Sequence, residues 1–141
     1  MTFDNVIGQQ EAKERLRKLV EENRVPHAML FTGPRGAGKL ALAIAFASYL
    51  LNPKDNPNYA NAKAMLDNYE HPDLHFTYPT IKLQSMSSDY KPVSDDFAHE
   101  WHNLIMKSPY ITAAQWIAEI GDDKKRAIIT AGESEALIHK L

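Results

Sequence analysis

The chain has 141 residues, enough for one domain that buries a core, and it contains no cysteine, which excludes disulfides, thiolate zinc sites and cysteine nucleophiles. Its 16 basic and 18 acidic residues give a formal net charge of −2, so the overall charge gives no reason to expect nucleic-acid binding. A signal-peptide pattern is absent, and the longest apolar run is shorter than the roughly 20 residues that span a bilayer. We therefore expect a soluble cytoplasmic protein.

The first elements in chain order are a helix, a strand and a second helix. Residues 9–23 have the apolar spacing of an amphipathic helix, with Glu14 and Lys18 placed as an i,i+4 ion pair on its outer face. Residues 28–32 form an apolar run of strand length after Pro26. Residues 39–51 are apolar almost all round, which is typical of a buried helix.

A glycine-rich loop lies between that strand and the buried helix. It matches the phosphate-loop pattern G-x-x-x-x-G-K-[ST] except at its last position. In such a loop the backbone N–H groups and the lysine bind phosphate oxygens, and the Ser/Thr hydroxyl holds magnesium. Leucine cannot coordinate a metal. The candidate nucleotide-binding residues are Gly33, Pro34, Arg35, Gly36, Ala37, Gly38, Lys39 and Leu40.

The rest of the chain alternates loops with short elements. The predictions, in order, are a loop at 52–58, a short helix at 60–69, a strand at 74–78, a mobile polar surface loop at about 80–94, a helix capped by Asp95 or Asp96 and running to 107, a helix from Thr112 to Ile120 stopped by Gly121, an extended segment at 126–130 and a helix at 133–141. In the polar loop, a DNA contact has only Lys82 and Lys91 to support it.

Neither the tryptophans nor the histidines indicate a catalytic or metal site. Trp101 and Trp116 have helical spacing with apolar neighbours, which favours core positions over partner anchors. The histidines do not have the H-E-x-x-H spacing of a zinc helix, so no metal ligands are predicted. No set of catalytic acid, base and nucleophile can be assembled from the sequence.

Several segments resemble a known family. Residues 3–9, residues 26–31 and the glycine loop resemble the opening of a bacterial clamp-loader AAA+ domain. His71-Pro72-Asp73-Leu74-His75 and residues 116–121 are similar to the delta-prime branch of that family, of the Bacteroidetes type. The resemblance runs from residue 2 to 141. It implies an α/β P-loop NTPase (AAA+) domain, with a parallel sheet flanked by helices, of which residues 1–141 are the N-terminal part.

The same resemblance implies a function and a set of partners. Delta-prime-type subunits are mostly non-hydrolysing scaffolds of the DNA polymerase III clamp loader, which places a sliding clamp on primed DNA. The partners would be the motor and delta subunits, with clamp and DNA reached through the complex and no membrane involved. Val6 and Ile7 would lie near the adenine pocket. ATP binding is expected to be weak or absent, and this chain is expected to catalyse no reaction of its own.

The chain departs from the family pattern in two places. Residues 52–70 occupy the position of a four-cysteine zinc module but contain no cysteine, so no zinc is expected. The Ser-Arg-Cys motif, which carries a donated arginine, is absent. We expect that motif, an acidic magnesium-binding strand, and the lid and collar domains to lie beyond Leu141.

The alternative function is an active P-loop ATPase, either a motor-type clamp-loader subunit or another AAA+ enzyme. Leu40 argues against it, because hydrolysis of this type uses the hydroxyl to hold magnesium. An apolar strand that ends in Asp or Glu is also needed. The candidates at 74–78 and 127–130 are followed by Pro79 and Ala131 instead.

Overall fold

The computed structural model describes residues 1–121 and 126–140. Its α-helices are α1 (Gln10–Glu21), α2 (Lys39–Leu51), α3 (Tyr59–Asp67), α4 (Ala98–Lys107), α5 (Ala113–Glu119) and α6 (Gly132–Ile138). Short 3-10 helices lie at Phe3–Asn5 and Ser94–Phe97. The chain divides into two compact units, Met1–Leu74 and His75–Leu141.

The first unit is built on the contact between α1 and α2. The predicted amphipathic helix is confirmed, with Leu16 buried on its inner face. The core of this unit consists of Phe3, Val6, Leu16, Leu42, Ala45 and Phe46. The predicted ion pair between Glu14 and Lys18 is wrong, because the Lys18 ammonium lies 3.6 Å from the Glu22 carboxylate, one turn further on.

The predicted buried helix has the predicted bounds, and α2 is the centre of the first unit. Ala41 and Ala45 are fully buried, because small side chains let neighbouring elements approach the helix closely. Leu50, in the last turn, is 40% exposed, so burial does not extend to the end of the helix. The predicted loop follows, and the predicted short helix is α3, which packs against α2.

The second unit has an aromatic core. The rings of Tyr78 and Trp101 stack with centroids 4.4 Å apart, and Trp116 meets the Trp101 ring edge-on at 5.2 Å. Trp116 is buried, and its indole N–H donates to the Pro79 carbonyl at 2.7 Å. The core prediction is confirmed for Trp116, and Trp101 packs against the same core while being only partly buried.

The predicted cap of α5 is confirmed, whereas the predicted aspartate cap of α4 is wrong. The Thr112 hydroxyl accepts from the Gln115 N–H at 3.2 Å, and the Gln115 side chain accepts from the Thr112 N–H at 2.9 Å. Helix α5 ends at Glu119, and Gly121, two residues further on, has a φ of +97°, which suits glycine. Neither Asp95 nor Asp96 caps α4, which begins at Ala98 and has no side-chain cap. Asp96 instead accepts from the Val93 N–H at 2.9 Å at the start of the 3-10 helix Ser94–Phe97, and Asp95 pairs with Lys140.

The predicted parallel sheet is not formed among residues 1–121 and 126–140. The one β-pairing found there is an antiparallel bridge between Thr80 and Ile128. Residues 28–32 and 74–78 run without regular secondary structure, and the Tyr78 N–H donates to the Ser94 hydroxyl at 3.1 Å. A strand requires a hydrogen-bonding neighbour, which an apolar run cannot specify by itself. The parallel sheet therefore stays a prediction that the described residues do not confirm.

The polar segment at 80–94 is irregular, but its ends are not at the surface. Thr80 and Ser94 are 2% and 1% exposed, so the surface-loop prediction is wrong at both ends. The Thr80 hydroxyl donates to the Pro92 carbonyl at 3.2 Å, and the Ser94 N–H donates to the Glu133 carboxylate at 2.7 Å. These bonds satisfy polar groups that burial removes from water.

Helix α6 confirms the last predicted helix up to Ile138. The predicted extension to 141 is wrong at His139 and Lys140, which form a turn, and Leu141 lies outside the described residues. The extended segment at 126–130 contains Ile128, the partner of Thr80. Among the described residues, none of the helices has both the length and the apolar character needed to cross a membrane.

Candidate phosphate-binding site

The glycine loop has a backbone that requires its glycines. Gly36 and Gly38 have φ angles of +79° and +76°, and Gly33 has +147°. Side-chain-bearing residues rarely adopt these angles, because a Cβ atom would meet the neighbouring carbonyl. The spacing of the motif therefore reflects the turn that carries the chain into α2.

Lys39, the first residue of α2, lies across the loop. Its ammonium donates to the Gly33 carbonyl at 2.9 Å and to the Pro34 carbonyl at 2.7 Å. An ammonium has three N–H donors, so these two bonds leave one donor for a further acceptor. The Lys39 charge thus stays beside the loop backbone, where it would neutralise the negative charge of a bound phosphate.

The start of α2 adds backbone donors to the lysine charge. The Leu42 N–H donates to the Gly38 carbonyl at 2.9 Å, the first hydrogen bond of the helix. The N–H groups before it have no acceptor within the helix, and the helix dipole makes this end positive. A glycine loop that leads into such a helix start is suited to an anion with several oxygens.

Leu40 occupies the second position of α2 and is half-buried. Its side chain is hydrocarbon and offers no oxygen for a metal ion. Hard cations such as magnesium are bound by oxygen ligands. The loop therefore keeps the groups that bind phosphate and lacks the hydroxyl that would hold magnesium.

A cavity of about 440 Å³ adjoins the loop within the first unit. Gln9, Arg15, Thr32 and Lys39 are the polar residues that help to line it, and Leu30 from the run at 28–32 is 87% exposed. The Gln9 side-chain amide donates to the Ala37 carbonyl at 3.0 Å, which ties the start of α1 to the loop. Gln9 and Arg15 were not predicted as site residues, because nothing in the sequence before or within α1 indicates which side chains turn toward the loop.

The remaining predicted site residues are placed as follows. Val6 is buried in the core of the first unit, and its carbonyl accepts from the buried Lys13 ammonium at 2.6 Å. Ile7 is 78% exposed. Neither residue lines the cavity beside the loop, so their position near an adenine ring stays a prediction. Pro34 and Arg35 lie exposed at the loop surface.

The described residues do not assemble a metal centre. Among residues 1–121 and 126–140, no group of three or more His, Asp or Glu side chains is placed to hold a metal ion. His99 lies beside Asn103, with the nearest nitrogen atoms 3.2 Å apart, and His71 lies 3.8 Å from Asp73. Both are polar contacts between residues that are close in the sequence.

The glycine loop, its lysine and the start of α2 have the arrangement of a phosphate loop, apart from Leu40 at the last position of the motif. Residues 8–121 match the family described as "DNA polymerase III, delta subunit". Because the match covers most of the chain, the chain belongs to this clamp-loader family. Membership implies the P-loop NTPase fold.

Curated relatives match a shorter part of the chain. A replication factor C small subunit of Archaeoglobus fulgidus is 43% identical over 63 residues, which are 45% of this chain and 19% of the relative. A replication factor C small subunit of Methanothermobacter thermautotrophicus is 38% identical over 62 residues, 44% of this chain and 19% of the relative. The matched part thus spans about a fifth of these relatives' length. No solved structure gives a significant match.

Proposed function

We propose that this chain is the nucleotide-site part of a delta-prime-type subunit of the DNA polymerase III clamp loader, of the Bacteroidetes type. In this role it is a mostly non-hydrolysing scaffold that helps to load the sliding clamp on primed DNA in the cytoplasm. The observation that carries the proposal is a phosphate loop with its glycine turns and lysine in place and Leu40 at the magnesium position.

The chemistry of the loop supports binding without turnover. Phosphoryl transfer depends on magnesium to neutralise charge that develops on the phosphate oxygens, an effect worth several kcal/mol. Lys39 and the start of α2 supply positive charge for phosphate binding in the ground state. Without a metal-binding hydroxyl, we expect ATP to bind weakly and its hydrolysis to be negligible.

The family supports an assembly role for such a site. The chain belongs to the DNA polymerase III delta subunit family, and the relatives are named replication factor C small subunits. We propose that the partners are the clamp-loader motor and delta subunits in one hetero-oligomer, with the clamp and primed DNA reached through that complex. Catalysis then belongs to the motor subunits, and this chain supplies a rigid neighbour.

The test is reconstitution from the full-length gene product. It is mixed with the motor and delta subunits of the same organism and passed over a size-exclusion column. We expect co-elution in one peak, with ATP turnover that requires primed DNA and the clamp. A full-length protein that elutes alone in the presence of both partners would contradict the assembly role.

An active ATPase would give a different result in the same preparation. Steady-state turnover by the full-length protein without its partners is compared with that of a Lys39→Ala variant. The scaffold function predicts equal, background rates for the two proteins. A parent rate clearly above the variant rate would replace the scaffold function with the motor-type one.

A further inference from the structure

A hydrogen bond from outside the glycine loop holds the centre of the loop. The Gln9 side-chain amide donates to the Ala37 carbonyl at 3.0 Å, from 28 residues earlier in the chain. Within the described residues, the other hydrogen bonds of the loop are made inside it or with α2, by Lys39 and by the N–H groups of Ala37 and Leu42. The bond from Gln9 therefore joins the loop to an element that precedes it.

Gln9 donates from a position that is itself fixed. Val6, three residues earlier, is buried, and its carbonyl accepts from the buried Lys13 ammonium at 2.6 Å. The Gln9 carbonyl accepts from the Lys13 N–H at 3.0 Å in the first turn of α1. Lys13 thus holds both ends of the segment 6–9. Little backbone freedom is then lost when the Gln9 side chain reaches the loop.

The backbone of Gln9 has an uncommon conformation. Its φ and ψ angles are +56° and +35°, in the left-handed region that residues with a Cβ atom rarely adopt. Such a conformation persists where the surrounding contacts hold it, and it is frequent at ligand sites. Here it turns the chain into α1 at the residue whose side chain bonds to the loop.

The Ala37 carbonyl belongs to the peptide that carries the Gly38 N–H. This peptide is trans, so its C=O and N–H point in opposite directions. The bond from Gln9 therefore directs the Gly38 N–H as well as the carbonyl. Gly36 and Gly38 have positive φ angles and would let an unanchored peptide between them rotate. Gly38 immediately precedes α2, so its N–H adjoins the free N–H groups of the helix start.

We propose that Gln9 is a positioning residue for phosphate binding, an inference that rests on the proposed function of the glycine loop. Its amide fixes the peptide between Ala37 and Gly38, so that the Gly38 N–H points to the same anion as Lys39 and the start of α2. The ligand is the oligophosphate part of a nucleotide, which offers several oxygens to such a set of donors. The phosphate site thus includes a residue outside the eight-residue motif.

Calorimetric titration of the full-length protein with tripolyphosphate, without magnesium, tests the effect on binding. Gln9→Met keeps the length of the side chain and removes the amide donor, so we expect the affinity to fall about fivefold, the usual effect of one lost neutral hydrogen bond. Gln10→Met is the matched control and should bind like the parent, because Gln10 bonds to Glu14 on α1 instead. Equal affinities for Gln9→Met and the parent would overturn the positioning role.

Gln9→Asn separates the side-chain bond from the backbone conformation. Asparagine adopts the left-handed conformation more readily than other residues with a side chain, but its amide is one methylene shorter and does not reach the Ala37 carbonyl. We expect the same loss of affinity as in Gln9→Met, with urea midpoints close to that of the parent. Affinity like the parent's in Gln9→Asn would overturn the role of the amide. A lowered urea midpoint that accounts for the lost affinity would reduce Gln9 to a residue of general stability.

Trypsin cleavage after Arg35 tests the loop without any ligand. Arg35 is exposed at the loop surface, and cleavage there requires the loop to open. In Gln9→Met we expect cleavage about fivefold faster than in the parent, with unchanged cleavage after the exposed Lys54 in the same digest. Unchanged cleavage after Arg35 would show that Gln9 does not hold the loop. Faster cleavage in Gln9→Met, together with a parent that does not bind tripolyphosphate, would overturn the phosphate site itself, so the two failures are distinguishable.

Discussion

Two neighbouring residues at the start of α2 have opposite roles. Lys39 reaches back to the Gly33 and Pro34 carbonyls, so its charge stays with the loop. Leu40 is half-buried in the first turn and supplies only hydrocarbon. A loop with the lysine but without the hydroxyl can attract phosphate, yet it has no ligand of its own for magnesium.

Restoring the hydroxyl at position 40 should restore the dependence on magnesium. In Leu40→Thr we expect ATP to bind more tightly with magnesium than without it, by about tenfold, because threonine supplies a metal ligand. Calorimetric titrations of the full-length variant with ATP, in magnesium and in EDTA, measure the ratio. Leu40→Val is the control, since its side chain is also β-branched but has no hydroxyl. A ratio near one in Leu40→Thr would show that more than the hydroxyl is missing.

Glu133 should contribute to stability through the hydrogen bonds that its carboxylate accepts. It is buried, accepts from the Ser94 N–H at 2.7 Å and from the Thr77 hydroxyl at 3.4 Å, and fixes one end of the polar segment. Glu133→Ala leaves a buried N–H without its acceptor, so we expect a loss of about 1–3 kcal/mol in unfolding free energy. Glu135→Ala, at an exposed position of the same helix, is the control in urea unfolding. Equal midpoints for the two variants would contradict this role.

Among the secondary-structure elements, the helices could be predicted from the sequence and the strands could not. The bounds of α2 follow from a glycine loop before it and a continuous apolar run, both of which are local features. The run at 28–32 is just as apolar, yet it has no regular secondary structure here. Strand formation depends on a partner from elsewhere in the chain, and the residues of the run do not specify that partner.

The hydrogen bonds that cap α5 should contribute measurably to stability. The Thr112 hydroxyl satisfies the Gln115 N–H, and the Gln115 side chain returns the bond to the Thr112 N–H. Thr112→Ala removes the first bond and should cost about 1 kcal/mol of unfolding free energy. Thr112→Ser keeps a hydroxyl at the same position and should cost only a few tenths of a kcal/mol. If serine and alanine lower the urea midpoint equally, the hydroxyl is not what caps this helix.

For the whole molecule, the sequence predicted the phosphate loop more completely than its surroundings. All eight loop residues are contiguous, so their pattern can be read directly. Gln9 reaches the loop across 28 residues of chain, and the Glu133 carboxylate accepts from the Ser94 N–H, 39 residues before it. Such long-range contacts depend on tertiary packing and leave no local signal.

The buried phenol of Tyr78, in the aromatic core, should make the unfolding free energy depend on pH in the alkaline range. Burial raises the pKa of Tyr78, and its hydroxyl donates to the Ser94 carbonyl at 2.7 Å. The unfolded chain ionises this phenol near pH 10, whereas the folded chain keeps its proton to higher pH. The stabilisation is thus fully present below pH 10 and is lost as the pH rises above it. Urea unfolding between pH 8 and 11 should show a steeper decline for the parent than for Tyr78→Phe, and parallel curves would contradict it.

The most direct test of the central claim is a calorimetric titration of the full-length parent protein with ATP, with and without magnesium. The claim is that the loop keeps its phosphate-binding groups and has lost its magnesium ligand. We predict weak binding with affinities that agree within about twofold in the two conditions, since Lys39 and the helix start do not need a metal. Micromolar binding that disappears when magnesium is removed would contradict the claim.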